Sequence, residues 1–333
     1  MGMHAGKGDT TRGISARGNK WQAIESVVAR MHGANHPGMP AYAAFQRSRS
    51  HIAYAGYLGK QYDPFMAQKA ARLPVLDLVV KETGKTSGAD LFKMPSGLTF
   101  DRVQNRHTLL KDFDRIKRGL DLNGSMEALD YYHQQAADMV LGRRAQRAFD
   151  LSLEDEKTRE RYGKHLWSQQ VLLARRLVEA GVGFVSLSLG GWDTHQDNFT
   201  RLRERNLPPL DTGLSALLNG LDQKGLLDST AVFVTGEFGR TPKINSRSAE
   251  GGRDHYPRCM FMLMAGGGIR GGQVVGKSDD KATLPASTGY SPDDAAASFY
   301  HNLGIDHTKE EHSNTGRPIT IVRNGTVIED LLS

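Results

Sequence analysis

Val182-Gly183-Phe184-Val185-Ser186-Leu187-Ser188-Leu189 runs directly into Gly190-Gly191-Trp192-Asp193-Thr194-His195-Gln196-Asp197-Asn198, and the fold is read from this junction. The apolar run has the length and bounds of a buried strand. The glycines and the Asp-Thr-His that follow place oxygen and nitrogen donors beyond the carboxyl end of that strand, where open α/β sheets bind ligands. Two later segments repeat the arrangement: Gly236-Glu237-Phe238-Gly239-Arg240 after the apolar run 231–235, and Gly252-Arg253-Asp254-His255-Tyr256 shortly beyond. Three polar clusters are thus expected to converge on one metal-bearing site.

Working outward, a long helix is expected over 154–180, ended by Gly181. A second, over 208–221, has Leu210, Leu214, Leu217, Leu218 and Leu221 on one face and Pro208 in its first turn. Strands are expected at 231–235 and 258–265 and a helix at 292–303. Asn324-Gly325, between the apolar runs 319–322 and 326–328, is a strong hairpin signal. Strands alternating with helices predict a mainly parallel sheet covered on both faces.

Upstream the pattern weakens. Ile24, Val27, Val28 and Met31, with Trp21, fit a short amphipathic helix. Residues 33–95, rich in Gly, Pro and Ser, read as irregular surface structure, an insertion or lid over the site. Two further helices are expected at 103–116 and 126–140, the second capped by Ser125. The division that results is 1–100 as an irregular segment with one short helix, and 101–333 as helices followed by an α/β core, within one domain.

The bulk numbers agree with a soluble globular chain: 333 residues, 38% hydrophobic and 24% charged. A net charge of +6 suits a small anionic partner, but Lys and Arg are scattered, which argues against nucleic-acid binding. Cys259, the only cysteine, cannot form an intramolecular disulfide, and its neighbours Met260, Phe261 and Met262 predict a core position. No apolar stretch reaches membrane-spanning length, and no signal segment stands at Met1. As written, the chain is expected to remain cytoplasmic. Export to the periplasm or beyond is the expectation if a preceding region carries a signal.

The chemistry follows from donor types. Asp193, His195 and Asp197 are spaced by two, so an extended backbone turns all three to one side. Carboxylate with neutral imidazole suits Zn²⁺ or Mn²⁺, with Ca²⁺ or Mg²⁺ as alternatives. The competing reading of Asp197 is a helix cap before Asn198. Glu237, one glycine beyond a strand, needs a positive partner, either a metal or Arg240. Arg240 in turn has the planar fork that holds an anionic ester. Asp254 and His255 are adjacent and face opposite ways, so one of them can bind metal while the other orients a neighbour. The glycine run 266–271 lacks the helix that a dinucleotide fingerprint requires, and reads as a turn before a strand-like 273–276. His301, Asp306, His307 and His312 read as a solvated face.

Taken together, the motifs at 190–198, 236–242, 252–257 and 265–272 resemble a bacterial family, domain of unknown function 1501, related to sulfatases and alkaline phosphatases. The likeness is tightest over 182–305. It implies an alkaline-phosphatase-like α/β/α sandwich with a mainly parallel sheet. It also implies one or two divalent metals and hydrolysis of a small phosphate or sulfate ester. Asp193, His195 and His255 match its metal-binding positions, while Glu237 stands where the wider superfamily has an Asp-His pair. Two departures stand out: Asp193 and His195 are separated by one residue rather than three, and Phe238 replaces a ligand His. The start also lacks the strand, metal-binding Asp and Ser or Thr nucleophile of such proteins. The expectation is therefore a chain without its first strand, with Asp9-Thr10-Thr11 as the stretch offering a substitute nucleophile. The alternative is a catalytically incomplete protein that binds metal or an anion without turnover.

Overall fold

A computed structural model describes residues 22–45, 54–67, 73–76, 82–87, 101–102, 105, 135–139, 142–286, 289–313 and 316–333. Most of the expected helices at 103–116 and 126–140, the Ser125 cap and Asp9-Thr10-Thr11 lie outside them. Of these two helices, residues 105 and 135–139 are described and are helical.

The architecture is mixed α/β around one small parallel sheet. Its centre is β1 (Tyr42–Phe45), flanked by β2 (Phe65–Met66) and β5 (Phe184–Leu187), both parallel to it. Residues 33–95 were expected to be irregular surface structure, yet β1 is wholly buried. The sequence Tyr-Ala-Ala-Phe explains the discrepancy. A strand covered on both faces shows no alternation, and two alanines keep its hydrophobicity low. Side chains nonetheless alternate in space: Ala43 and Phe45 join one apolar cluster, Tyr42 and Ala44 another.

Helices close both faces of this sheet. On one side lies α4 (Leu166–Glu179), which buries Val171, Leu172, Leu173 and Leu177 against Ala43 and Phe45. Behind α4 packs α6 (Leu207–Gln223), with Leu217 against the same cluster. On the other side α1 (Ile24–His32) and α7 (Pro292–Asn302) contribute Val27, Val28, Phe299 and Tyr300 to a second cluster that receives Phe184. The remaining ladders are two-stranded and antiparallel: β3 (Leu73–Leu76) with β4 (Glu82–Ser87), β6 (Ala231–Val234) with β9 (Leu263–Gly266), β7 (Gly239–Arg240) with β8 (His255–Tyr256), and β10 (Glu310–His312) with β11 (Pro318–Thr320). The parallel sheet is thus smaller than expected: among the described residues β6 pairs with β9 and not with β5.

Several boundaries move for identifiable reasons. The helix expected over 154–180 divides into α3 (Glu156–Arg161) and α4, because Gly163 adopts φ +81° and His165 begins a new helix by accepting the Trp167 N–H through Nδ1. A short helix, α2 (Arg143–Phe149), precedes α3 and buries Phe149 in the first cluster. Asn324-Gly325 makes no hairpin. The Thr326 N–H donates to Asp294 Oδ1 (2.7 Å) and the Ile328 N–H to Ser298 Oγ (2.8 Å), so side chains of α7 take up the donors a ladder would have used. Residues 273–276 form no strand, and Val274 is 91% exposed. Cys259 is half-buried and Phe261 is exposed, so the core position expected for this stretch is not observed.

Among the described helices, the start of α7 is the best capped. Ser291 Oγ accepts the Asp294 N–H, and Asp294 Oδ2 accepts the Ser291 N–H at 2.7 Å, a reciprocal capping box with Pro292 in the first turn. Partial burial works against ionisation of Asp294, but the N–H groups of Thr326 and Ser291 and the Ser291 hydroxyl outweigh it and lower its pKa. A carboxylate with a depressed folded-state pKa stabilises above its unfolded value, about 3.9, and loses that contribution as pH falls through the folded value. Asp294→Asn is expected to cost about 1–2 kcal/mol in urea unfolding at pH 7. The difference from wild type should shrink below pH about 4. An equal difference at pH 7 and pH 3 would contradict the assignment.

Candidate metal centre

Beyond β5 the chain stays extended through Ser188, whose N–H reaches the Phe45 carbonyl, and turns at Gly191, where φ is +93°. That conformation excludes most side chains and re-aims the next three residues. Thr194 then points inward, 1% exposed, with Oγ1 donating to Asn198 Oδ1. Its neighbours Asp193 and His195 consequently share the outward side, as alternation in extended chain requires.

The partner segment arrives from the β7–β8 ladder. Gly239 faces Tyr256 and Arg240 faces His255, so this short pairing sets an imidazole beside a guanidinium. The loop between the strands is tied back to His195. Asn245 Nδ2 donates to the His195 carbonyl (3.2 Å), and Gly252 passes so close that a Cβ there would fall 1.8 Å from that oxygen. Only glycine permits this approach.

Three donors meet at the centre. Asp193 Oδ1 lies 2.8 Å from His255 Nε2 and 3.0 Å from His195 Nε2, and the two Nε2 atoms are 3.1 Å apart. Ligands about 2.0–2.1 Å from a tetrahedral Zn²⁺ stand about 3.3 Å apart. Octahedral ligands at about 2.1 Å stand about 3.0 Å apart. The observed triangle fits the face of such a shell, and its imidazoles favour Zn²⁺ or Mn²⁺ over Ca²⁺ or Mg²⁺.

His195 Nδ1 is 2.6 Å from Asp254 Oδ1, so that nitrogen carries the ring proton and Nε2 presents a lone pair. With neutral rings only the His255 Nε2 proton remains, and one proton cannot serve all three edges of the triangle. A cation among the three atoms, either a second proton or a metal ion, relieves the repulsion.

Around this core, Arg240 Nη2 donates to Asp193 Oδ1 (2.7 Å) and to the Trp192 carbonyl (2.9 Å). The hydrogen bond from His255, then that from Arg240, holds the Asp193 carboxyl down at about 2. The hydrogen bond from His195 is the main cause of the lowered pKa of Asp254. Phe238 lies against the His255 ring, centroids 4.4 Å apart, and His255 against His195 at 4.7 Å. Phe238 therefore buttresses the His255 ring.

Of the six expected metal ligands, Asp193, His195 and His255 come together. Asp254 is one step outside, on the far nitrogen of His195, where a carboxylate orients an imidazole and raises its basicity. Glu237 is exposed, outside the triangle and without an ion pair among the described residues. Asp197 is also outside it. It occupies the N-cap position of α5 (Asn198–Arg201) at φ 51°, makes no side-chain cap, and donates its N–H to Ser248 Oγ. Arg247 and Asn245 escaped the sequence reading. Their part depends on the closure of a loop, and no motif marks them.

A family model described as "Protein of unknown function (DUF1501)" matches residues 14–332. No curated protein and no solved structure matches the chain.

Proposed function

The chain belongs to the DUF1501 family, and from that premise we propose that it is a metal-dependent hydrolase of a phosphate or sulfate ester on an alkaline-phosphatase-like α/β/α scaffold. The observation that carries the reading is the triangle of Asp193 Oδ1, His195 Nε2 and His255 Nε2, with edges of 2.8, 3.0 and 3.1 Å. The scaffold reading draws support from three parallel strands covered by helices on both faces, with the triangle beyond the carboxyl end of β5.

Each residue has a distinct task. Asp193, His195 and His255 would hold one divalent ion, Zn²⁺ or Mn²⁺. Asp254 keeps His195 in the tautomer whose Nε2 is free to bind. Arg240 fixes the Asp193 carboxylate against the Trp192 backbone. A divalent ion supplies Lewis acidity, which polarises an ester oxygen and lowers the pKa of an attacking water or hydroxyl.

A second reading, binding of metal or an anion without turnover, is favoured by one observation. The described hydroxyls next to the site, Thr194 and Thr241, both donate to protein acceptors, Asn198 Oδ1 and the Lys243 carbonyl. The test is elemental analysis of the purified chain after exposure to Zn²⁺ or Mn²⁺, together with hydrolysis of an aryl phosphate and an aryl sulfate with and without chelator. About one equivalent of metal and chelator-sensitive release of the aryl alcohol are expected. Metal without hydrolysis of either ester would leave the binding reading. Folded protein that takes up no metal would reject the hydrolase and leave only the anion-binding form of the second reading.

A further inference from the structure

Three guanidinium groups surround the triangle, and their donors are spent differently. Arg240 gives Nη1 to the Arg253 carbonyl and Nη2 to the Trp192 carbonyl and Asp193. Arg253 gives Nε to the Thr241 carbonyl (2.6 Å) and Nη2 to the Arg240 carbonyl. Both are bound into the loop that builds the site. Arg247 differs. Its Nη1 lies 2.9 Å from Asp254 Oδ1 and 3.4 Å from His195 Nδ1, its Nε and Nη2 have no acceptor among the described residues, and its side chain is 54% exposed.

Nor is Arg247 on a loose tip. Its own N–H donates to Asn245 Oδ1, and Asn245 is bridged to Gly252 on both sides and anchored to the His195 carbonyl. The guanidinium is thus held 3.4 Å from the His195 ring nitrogen on the side away from the triangle, with its side chain half-exposed to solvent. A planar fork in that position matches two oxygens of a tetrahedral oxyanion. Asp254 holds the inner edge of the fork and leaves the outer donors for a ligand.

We propose that Arg247, rather than Arg240, binds the non-bridging oxygens of the substrate's phosphate or sulfate group and selects anionic esters at this site. The inference rests on the metal-site reading above, and it adds the residue that recognises the charge of the substrate.

Inorganic phosphate, with inorganic sulfate alongside, is the probe, titrated calorimetrically into the full metal-loaded chain. Arg247→Met is expected to keep the metal content of wild type and to weaken phosphate binding about 10-fold or more, the scale of a lost charge-assisted fork. Arg247→Lys should recover part of that loss, because it restores the charge but not the fork. Phosphate and sulfate affinities of Arg247→Met equal to wild type, at equal metal content, would overturn the role of Arg247 alone. Wild type that takes up no metal would instead overturn the reading on which the titration depends.

Discussion

Asp193→Ala is expected to leave a folded protein that has lost its metal and with it any ester hydrolysis. The carboxylate is 68% exposed, so its removal opens no cavity, and buried Thr194 beneath it keeps the loop in place through Asn198. What disappears is the one oxygen shared by His195, His255 and Arg240. Two imidazoles alone make a poor site for Zn²⁺ or Mn²⁺, and the freed Arg240 guanidinium repels a cation. Metal content should fall below about a tenth of the wild-type value, with hydrolysis reduced in proportion. Asp193→Asn, which keeps the shape and removes the charge, guards against misfolding as the explanation. Asp254→Asn should be milder, a loss of about 10–100-fold in metal affinity, because it acts through the orientation of His195. Glu237→Ala and Asp197→Ala, outside the triangle, should retain the metal. Full metal content in Asp193→Asn would exclude the triangle as the binding site.

Phe45→Ala is expected to have the largest effect on stability. Phe45 is 2% exposed at the end of the central strand and shares its cluster with Phe149, Leu172, Leu173 and Leu177. Truncating a phenyl ring at such a site removes its transfer free energy and leaves a cavity that packed neighbours only partly fill, together about 3–5 kcal/mol. Against a total stability of about 5–15 kcal/mol, that is enough to lower the urea midpoint sharply. Val274→Ala, at a 91% exposed position, is the control and should stay within about 0.5 kcal/mol. A cost below about 1 kcal/mol for Phe45→Ala would mean that β1 does not occupy the core.

The two variants separate what was legible in the sequence from what was not. The strand at β5, the Gly-Gly turn and the outward pair Asp193 and His195 could all be read from consecutive residues. Alternation along extended chain and the conformational freedom of glycine are local properties. The apolar stripe of α6 and the helix beginning near Pro292 were legible for the same reason. Phe45 was not, because a four-residue strand buried on both faces has neither alternation nor length to distinguish it. The extent of the parallel sheet was also out of reach, since β6 chose β9 as its neighbour through contacts more than twenty residues apart in the chain.

At the site the division is sharper. Sequence alone determined the inventory of donors (carboxylates, imidazoles and a guanidinium in three short segments) and the chemistry such a set can perform. Tertiary structure decided the membership. It brought His255 across from β8 to Asp193, set Asp254 behind His195, left Glu237 and Asp197 outside, and brought in Arg247 from an unmarked loop. The physical reason is that convergence depends on non-local pairing. The β7–β8 register and the Gly252–His195 contact set distances of about 3 Å between residues some sixty positions apart, and no periodicity within a segment encodes them.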